Sequence, residues 1–371
     1  MKFNAYSSEI GKQLSVAAIA ISPKSIMPIL EDFFLKLRGN ILTISATNLE
    51  ISITMKTEVT GHEDGEVAIS SKILLETLRS LPDQPFTLET LEGNLIQITS
   101  SFGKYKMASD DPDEYPSFES IPESESVTIN SSLLKKAIEK TIIAVGNAEV
   151  VRPAMTGVNF SFDYNKLNVV ATDSHVLVKY TVNGLNFETS KSFTMLQKGL
   201  LLLKNALTEN TDVNIYWTKN KAFFQFNDYM ISSALITDEF PNYNLVIPVA
   251  FESTMFVNPK DLHGSLRRLI LFSNKSFNLV TLNINEDSLT LASEDIEMAH
   301  DATEQMPCKY EGEPLTMGFS AKFLMALLGI IEEEEVKFEF ANSKSPVIIK
   351  PTNPKDDEDI TLLIMPLILK N

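Results

Sequence analysis

The sequence predicts an α+β protein made of three similar domains, and an internal repeat is the first observation behind this prediction. An apolar or aromatic residue followed by proline recurs at intervals of 125 residues, at Pro116, Pro241 and Pro366. Segments that alternate apolar and polar residues recur at similar intervals: LTISATNLEISI (42–53), LNVVATDSHVLV (167–178) and LTLASEDIEMAH (289–300). Such alternation is typical of a half-buried strand. Because solenoid units span only roughly 20–50 residues, each copy is expected to be a whole domain.

Each repeat also contains two predicted helices and a closing hairpin. The first helix is expected at 7–21, 131–145 and 258–272, where Ser or Asn opens the segment as a cap for free backbone N–H groups. The second is expected at 70–82, 196–207 and 320–331, and hairpin turns at 92–94, 219–220 and 342–343. The three prolines are expected to end sheet pairing near the ends of domains, because proline lacks an N–H group. We therefore predict domains over 1–124, 125–250 and 251–371.

Composition excludes several classes of protein. The 371 residues are 44% hydrophobic and 22% charged, as in ordinary globular proteins. No apolar run approaches the roughly 20 residues that span a bilayer. The first residues contain no apolar signal core, so we expect a cytoplasmic protein with no membrane partner. The single cysteine, Cys308, excludes an internal disulfide framework, and the four scattered histidines do not predict a structural zinc site.

The sequence also argues against an enzyme. Asp173, Ser174 and His175 stand side by side, whereas catalytic triads converge from separate segments, and neighbours on a strand point to opposite faces. The acidic runs at 110–114, 332–335 and 356–359 have no histidine at metal-ligating spacing and are expected to be solvated loops. A phosphate-cradling G-x-x-x-x-G-K-[ST] motif is absent. We expect no catalytic residue, no metal and no cofactor.

Positive charge is concentrated on the predicted helices, although the chain carries a net charge of −17. Counted over 7–21, 70–81, 131–147, 196–207, 258–275 and 320–331, the helix segments together carry +9, which leaves −26 for the remainder (−17 − 9 = −26). A basic face on an acidic protein predicts an enclosed site for a polyanion. The helices offer no aromatic platform for bases, so contacts are expected to reach phosphates without sequence preference. The basic residues are Lys72, Arg79, Lys135, Lys136, Lys140, Lys198, Lys204, Lys260, Arg267, Arg268, Lys275 and Lys322.

Motifs spread over the whole chain resemble the beta sliding clamp family, the processivity rings of bacterial replicative DNA polymerases. They are MKF at the start, MPILEDFFL (27–35), ATDSH (171–175), EFPNYNLVIP (239–248) and IMPLIL (364–369). The match is specific because of their joint order across three repeats. The resemblance implies clamp-type domains, with helices inside and antiparallel sheets outside, that close head-to-tail with a second chain into a homodimeric ring around duplex DNA. It implies a non-catalytic subunit whose partners are the polymerase catalytic subunit, the clamp loader and other proteins with a clamp-binding motif.

Helix dimensions agree with a ring of two chains. Helices are about 10 Å across, so six of them side by side would enclose a hole under about 20 Å wide, too narrow for a hydrated duplex. Twelve helices enclose about 38 Å. By the resemblance, Lys24 aligns with a basic position that contacts DNA, and Lys24 and Arg152 complete the expected DNA-facing set.

The resemblance also implies a groove between the second and third domains, in which partner peptides insert apolar anchors. The matching positions are Met155, Thr172, Ser174, His175, Val176, Leu177, Pro241, Leu245, Val246, Phe277, Ile364, Met365, Pro366 and Leu367. They are mostly apolar with a few orienting polar groups, as expected of a binding site. The chain departs from the family at Val176, Leu245 and Ile368, where arginines are common, and it extends to Lys370 and Asn371. We therefore expect a more apolar and less cationic groove.

One other class of function remains open from the residues alone. A non-replicative scaffold or a carbohydrate-binding β-protein would fit the strand content, but it would not explain basic helices on an acidic chain. The native mass separates the two readings, because a clamp should be a dimer.

Overall fold

The chain folds as two compact units. A computed structural model describes residues 1–123, 126–188, 190–354 and 357–369. The first unit consists of Met1–Lys135 and Met195–Thr237, and the second of Lys136–Thr194 and Asp238–Asn371. The predicted middle domain is divided between them, and its proposed first boundary, at 124 and 125, lies outside the described residues. In the described ranges no helix has the length and apolar character needed to cross a bilayer.

Strands dominate the described chain, and six α-helices accompany them. The strands are β1 (Lys2–Tyr6), β2 (Asp32–Arg38), β3 (Ile41–Thr47), β4 (Ile51–Glu58), β5 (Thr60–Glu63), β6 (Gly65–Ser70), β7 (Pro85–Leu91), β8 (Leu95–Ser100), β9 (Gly103–Ala108), β10 (Ser126–Asn130), β11 (Gly157–Asp163), β12 (Lys166–Thr172), β13 (Val176–Asn183), β14 (Lys191–Leu196), β15 (Asp212–Trp217), β16 (Lys221–Phe226), β17 (Tyr229–Ile236), β18 (Ser253–Val257), β19 (Leu279–Ile284), β20 (Ser288–Asp295), β21 (His300–Pro307), β22 (Lys309–Glu311), β23 (Leu315–Ser320), β24 (Val336–Phe340), β25 (Val347–Pro351) and β26 (Glu358–Ile364). The helices are α1 (Ser7–Ala17), α2 (Ser71–Ser80), α3 (Ser131–Thr141), α4 (Gln197–Ala206), α5 (Pro259–Leu269) and α6 (Ala321–Leu328).

The first unit contains two antiparallel sheets. One has the strand order β5-β1-β7-β8-β9, so β9 lies at its edge. In the other, β6, β2, β3 and β4 pair in that order, and β4 continues to β17, β16, β15 and β10. Ile53 and Ile231 face each other across the β4–β17 pair and are fully buried. Helix α1 packs against α2 and α4 and buries Leu14. Strand β17, from the predicted second domain (the middle segment), thus continues a sheet that begins in the predicted first domain.

The second unit repeats this plan. One sheet has the order β11-β12-β13-β26-β25-β24-β18-β22, in which β13 of the middle segment pairs with β26 of the last. The other sheet has the order β21-β20-β19-β23, so β21 lies at its edge. Helix α5 packs on β20, β21 and α6, with Leu266 and Leu324 fully buried. The continuous sheets explain why the middle segment divides between the two units.

The predicted helices are present, whereas one class of predicted strand needs correction. Asn258 caps α5 by accepting the amides of Lys260 (2.9 Å) and Asp261 (3.1 Å), as predicted, but α1 has no side-chain cap. The segments 42–53, 167–178 and 289–300 are not single strands. Each contains two strand pieces joined by a tight turn with a residue of positive φ, at Leu49, Ser174 and Ala299. The turns contain neither Gly nor Pro, so composition did not mark them.

Candidate functional site

A tight turn between β12 and β13 presents two exposed polar residues, Ser174 and His175. Thr172 Oγ1 donates to Val176 O (2.7 Å), and Asp173 Oδ1 accepts the amides of His175 and Val176 (both 2.8 Å). These bonds support a backbone in which Ser174 has a φ of +76°. The Asp173 carboxylate therefore shapes the turn, and the expected absence of an Asp-Ser-His triad agrees with this geometry.

An apolar floor lies beside the turn. Leu177 on β13 pairs with Leu363 on β26, and both are buried in one cluster with Val170 and Ile348. Thr172 pairs with Leu177, so it lies on the same face of the sheet. Four half-buried side chains of the segment after β17 pack on this cluster: Phe240, Tyr243, Ile247 and Phe251. The floor is thus assembled from strands that are distant in sequence.

Two residues expected in the groove lie on the opposite face of the sheet. Val176 pairs with Ile364 one position along from the Leu177–Leu363 pair. Because neighbouring side chains of a strand alternate between faces, Val176 and Ile364 point away from the floor, and both are buried. Sequence reasoning chose Ile364 and missed Leu363. The period-two spacing from Met365 to Leu363 was the signal that could have found it.

Contacts join several other expected groove residues to the turn. The Met365 amide donates to His175 O (2.8 Å), and Ser174 Oγ lies 3.3 Å from Met155 Sδ. The His175 ring stacks on Phe323 of α6, with 5.5 Å between ring centroids. Phe323 had not been predicted, since no sequence pattern links it to the turn. The structure therefore brings Met155, Ser174, His175 and Met365 together around one point.

The remaining apolar positions lie on three separate segments. Pro241, Leu245 and Val246 belong to the segment that packs on the floor, and the last two are exposed. Phe277 is exposed on the loop between α5 and β19. After Pro366, the Leu367 amide donates to Gly318 O (2.8 Å) on β23. A Cβ at Gly318 would lie 2.7 Å from Leu369 Cδ2, so a larger residue there would require that leucine side chain to move.

The electrostatics of the floor fit an apolar ligand. Leu245 and Ile368, two of the departures from the family, are exposed apolar side chains, whereas Val176 is buried on the other face. The departure at Val176 therefore leaves the charge of the floor unchanged. Lys179 Nζ lies 5.8 Å from the centroid of the Tyr243 ring, and burial lowers the pKa of Lys179. Lys370 and Asn371 lie outside the described residues.

Most of the predicted DNA-facing residues are exposed or half-buried on helices and adjoining loops. Arg79 donates to Ser15 Oγ (2.9 Å), and Lys198 Nζ donates to Ser22 Oγ (2.6 Å). Burial lowers the pKa of Lys198, and Glu50 acts in the opposite direction. Lys135 and Lys204 are half-buried. The exposed members, besides Arg79 and Arg268, are Lys24, Lys72, Arg152, Lys260, Arg267, Lys275 and Lys322.

Carboxylates of the same unit pair with three of the residues expected to contact DNA, whose role at DNA stays a prediction. Lys136 Nζ pairs with Glu358. Lys140 Nζ lies 2.7 Å from Glu332 Oε1, and its side chain is only 12% exposed. Arg268 donates two bonds to Glu304, at 2.7 and 2.6 Å. Because these partners are 36 to 222 residues away in sequence, helix composition alone did not reveal them.

The part of the chain that the structure describes contains no candidate metal-binding site. There, no group of three or more His, Cys, Asp or Glu side chains is arranged to hold a metal ion. One acidic run includes Asp356, which lies outside the described residues.

Comparisons with known proteins cover nearly the whole chain. Family models of the DNA polymerase III beta subunit match in tandem: the N-terminal domain at 1–119, the central domain at 128–242 and the C-terminal domain at 244–368. A beta sliding clamp of Staphylococcus epidermidis is 28% identical, and one of Staphylococcus aureus is 27% identical, each over 365 residues and 96% of both chains. The crystal structure of the Thermotoga maritima beta subunit has 26% identity and a TM-score of 0.91, with 100% of both chains covered. That of the Bacillus subtilis sliding clamp has 25% identity, a TM-score of 0.91 and the same coverage.

The tandem matches confirm the α+β plan of three similar domains, while its predicted boundaries stay a prediction. They also agree with the order of motifs in the three repeats. Beta sliding clamps are processivity factors of DNA replication and not enzymes. The chain therefore belongs to the family of DNA polymerase III beta subunits, the bacterial beta sliding clamps.

Proposed function

We propose that this sliding clamp closes as a homodimeric ring around duplex DNA and holds the polymerase catalytic subunit, the clamp loader and other clients through its groove. Sliding-clamp function follows from the family. The dimer, the DNA-facing residues and the ligand of the groove are the points proposed. Three domains over 1–124, 125–250 and 251–371 are part of the same proposal.

The proposal of a dimer rests on two sheet edges of opposite charge. Among the described strands, β9 and β21 are outermost in their sheets. The edge β9 contains Lys104 and Lys106 and no acidic residue, whereas β21 contains Asp301 and Glu304 and no Lys or Arg. Edge strands offer backbone groups for pairing with another chain. Pairing β9 of one chain with β21 of a second would cover both edges head-to-tail, and the opposite charges would favour that register.

Exposed apolar side chains adjoin both edges. Ile296 and Met298 are exposed in the turn that precedes β21, and Phe272 contacts the ring of His300 at the start of that strand. Phe102 is exposed in the turn that precedes β9. Exposed apolar groups beside an open edge are typical of an interface. They support the same head-to-tail contact.

Exposed cations on the helices support contact with DNA phosphates. Lys72 of α2, Arg267 of α5 and Lys322 of α6 are exposed, and no ion pair involves them among the described residues. Such contacts carry no sequence information and weaken with salt. A clamp that must slide needs this kind of contact, because strong base-specific binding would stop it.

The floor and its rim support a short peptide with apolar anchors as the groove's ligand. Leu177 and Leu363 form the buried floor, while Met365 and Leu245 leave apolar surface exposed nearby. Burial of that surface by a ligand is favourable, and the few polar groups of the turn would orient the ligand.

Retention on circular DNA tests the ring. The protein is placed on a nicked plasmid by a clamp loader, and bound protein is followed by gel filtration before and after a restriction enzyme cuts the circle. A closed ring stays on the circle at high salt and leaves the cut DNA from its ends. Equal retention on circular and linear DNA would exclude the ring. Sedimentation at micromolar concentration should show twice the chain mass of 41.4 kDa.

A further inference from the structure

The segment 109–118 contains the motif DEYPSF, which clamp function leaves unexplained. The Asp110 amide donates to Ala68 O (3.0 Å), so the segment adds an isolated bridge to the edge of β6. Tyr115 OH donates to Asp32 O (3.1 Å), and the Tyr115 ring lies 5.3 Å from the Phe34 ring between centroids. The segment is therefore clipped to β2 and β6 of the first unit by one bridge, one hydroxyl and aromatic packing.

A buried carboxyl group lies at the centre of this contact. Asp32 is the first residue of β2 and is 4% exposed. Its Oδ2 is buried without a hydrogen-bond partner among the described residues. Asp110 bridges to Ala68, which pairs with Phe34 of β2, and this places the Asp110 side chain beside the Asp32 carboxyl group. Among the described residues, Glu31 adds a further negative charge near Asp32, while Tyr115 approaches with a neutral phenol.

Two carboxylates in contact cannot both remain ionised at low cost, but one proton turns one of them into a donor for the other. Such a proton would give the buried Oδ2 its missing partner. Burial, then the hydrogen bond with Asp110 and the charges of Asp110 and Glu31, raises the pKa of Asp32 to about 7. A proton held between the two side chains would fit both the unpaired buried oxygen and the raised pKa of Asp32.

We propose that Asp32 and Asp110 form a proton-operated clip, which holds segment 109–118 on β2 and β6 while the two carboxyl groups share a proton and releases it when that proton is lost. The pKa of Asp32 is raised in the folded state. Its stabilising effect is therefore complete below its ordinary pKa of 3.8 and is lost as the pH rises through about 7. Because this segment leads to the predicted domain boundary near 124, release frees ten residues of chain ahead of that boundary.

Hydrogen exchange of the full-length protein, read by mass spectrometry on peptides from 108–118, tests the clip. Rates at pH 6 and pH 8.5 are corrected for intrinsic exchange. For the wild type, the opening equilibrium of this segment should rise about tenfold per pH unit between about pH 4 and pH 7 and level off above about 7, which gives about a tenfold rise from pH 6 to pH 8.5. Unchanged protection across this range would overturn the proposal.

Amide variants separate the shared proton from ordinary packing. In Asp32→Asn, the amide can donate to Asp110 at any pH, so protection should become independent of pH. Asp110 is exposed, so Asp110→Asn gives the same test if the first variant fails to fold. The matched control Asp113→Asn, an exposed neighbour, should keep the wild-type dependence. A pH dependence that survives in Asp32→Asn would overturn the clip. Protection restored by Ca²⁺ at pH 8.5 would also overturn it, because a cation would then hold the two carboxyl groups together.

Discussion

Leu245→Ala should weaken peptide binding more than Met365→Ala, because more of the Leu245 side chain is free for a ligand to cover. Leu245 is 82% exposed and Met365 is 38% exposed. Complete burial of such a side chain contributes about 1.5–3 kcal/mol. Scaled by the exposed fractions, the losses are about 2 kcal/mol for Leu245 and about 1 kcal/mol for Met365. They correspond to about 30-fold and about fivefold increases in Kd.

Fluorescence anisotropy with a labelled peptide that carries Leu and Phe anchors measures these changes. Tyr164→Ala is the matched control, since Tyr164 is an exposed aromatic residue in the turn between β11 and β12 of the same unit. Its Kd should equal that of the wild type, and all three variants should keep the native mass. An effect of Leu245→Ala no larger than that of Tyr164→Ala would show that the peptide docks away from the floor and would refute the reasoning.

Three further outcomes are expected. Lys72→Ala with Arg267→Ala should reduce the slope of log K for DNA binding against log salt by up to about one unit per lost contact. Arg268→Ala should change this slope less, because Glu304 already pairs with Arg268. Binding to plasmid DNA over a series of salt concentrations measures both slopes. Leu49→Gly should raise the free energy of unfolding by about 1 kcal/mol, because Leu49 has a φ of +75°, and urea unfolding followed by Trp217 fluorescence in the same unit reads it. Replacing both lysines of β9 by glutamate should leave a monomer in sedimentation.

Sequence periodicity predicted the helices well, because apolar residues at helical spacing form the buried face of a helix. In α5, for example, Leu262, Leu266 and Leu269 recur at helical spacing and are buried, and Asn258 supplies the cap that its side chain predicts. The threefold plan was also visible, since repetition leaves the same local pattern in each copy. These features depend on neighbours within about one helical turn.

Features that depend on distant partners could not be predicted in the same way. The charges of α3 suggested free cations, but Lys136 and Lys140 meet acids supplied by segments about 190 to 220 residues later. Ile364, predicted in the groove, lies on the face opposite Leu363 for a different reason. The resemblance marked a contiguous run, whereas the pleat of β26 sends only alternate side chains to the floor. The division into two units likewise follows from strand pairing that no local pattern encodes.

The opposite charges of the two outer strands also bear on solubility. Exposed strand edges are sites where proteins aggregate, and like charges placed opposite each other disfavour pairing. Two copies of β9 would set lysines against lysines, and two copies of β21 would set acids against acids. Pairing of β9 with β9, or of β21 with β21, between free chains is thus disfavoured while chains accumulate during synthesis. A chain with the lysines of β9 removed should therefore not only lose its partner but also form fibrous assemblies more readily when concentrated.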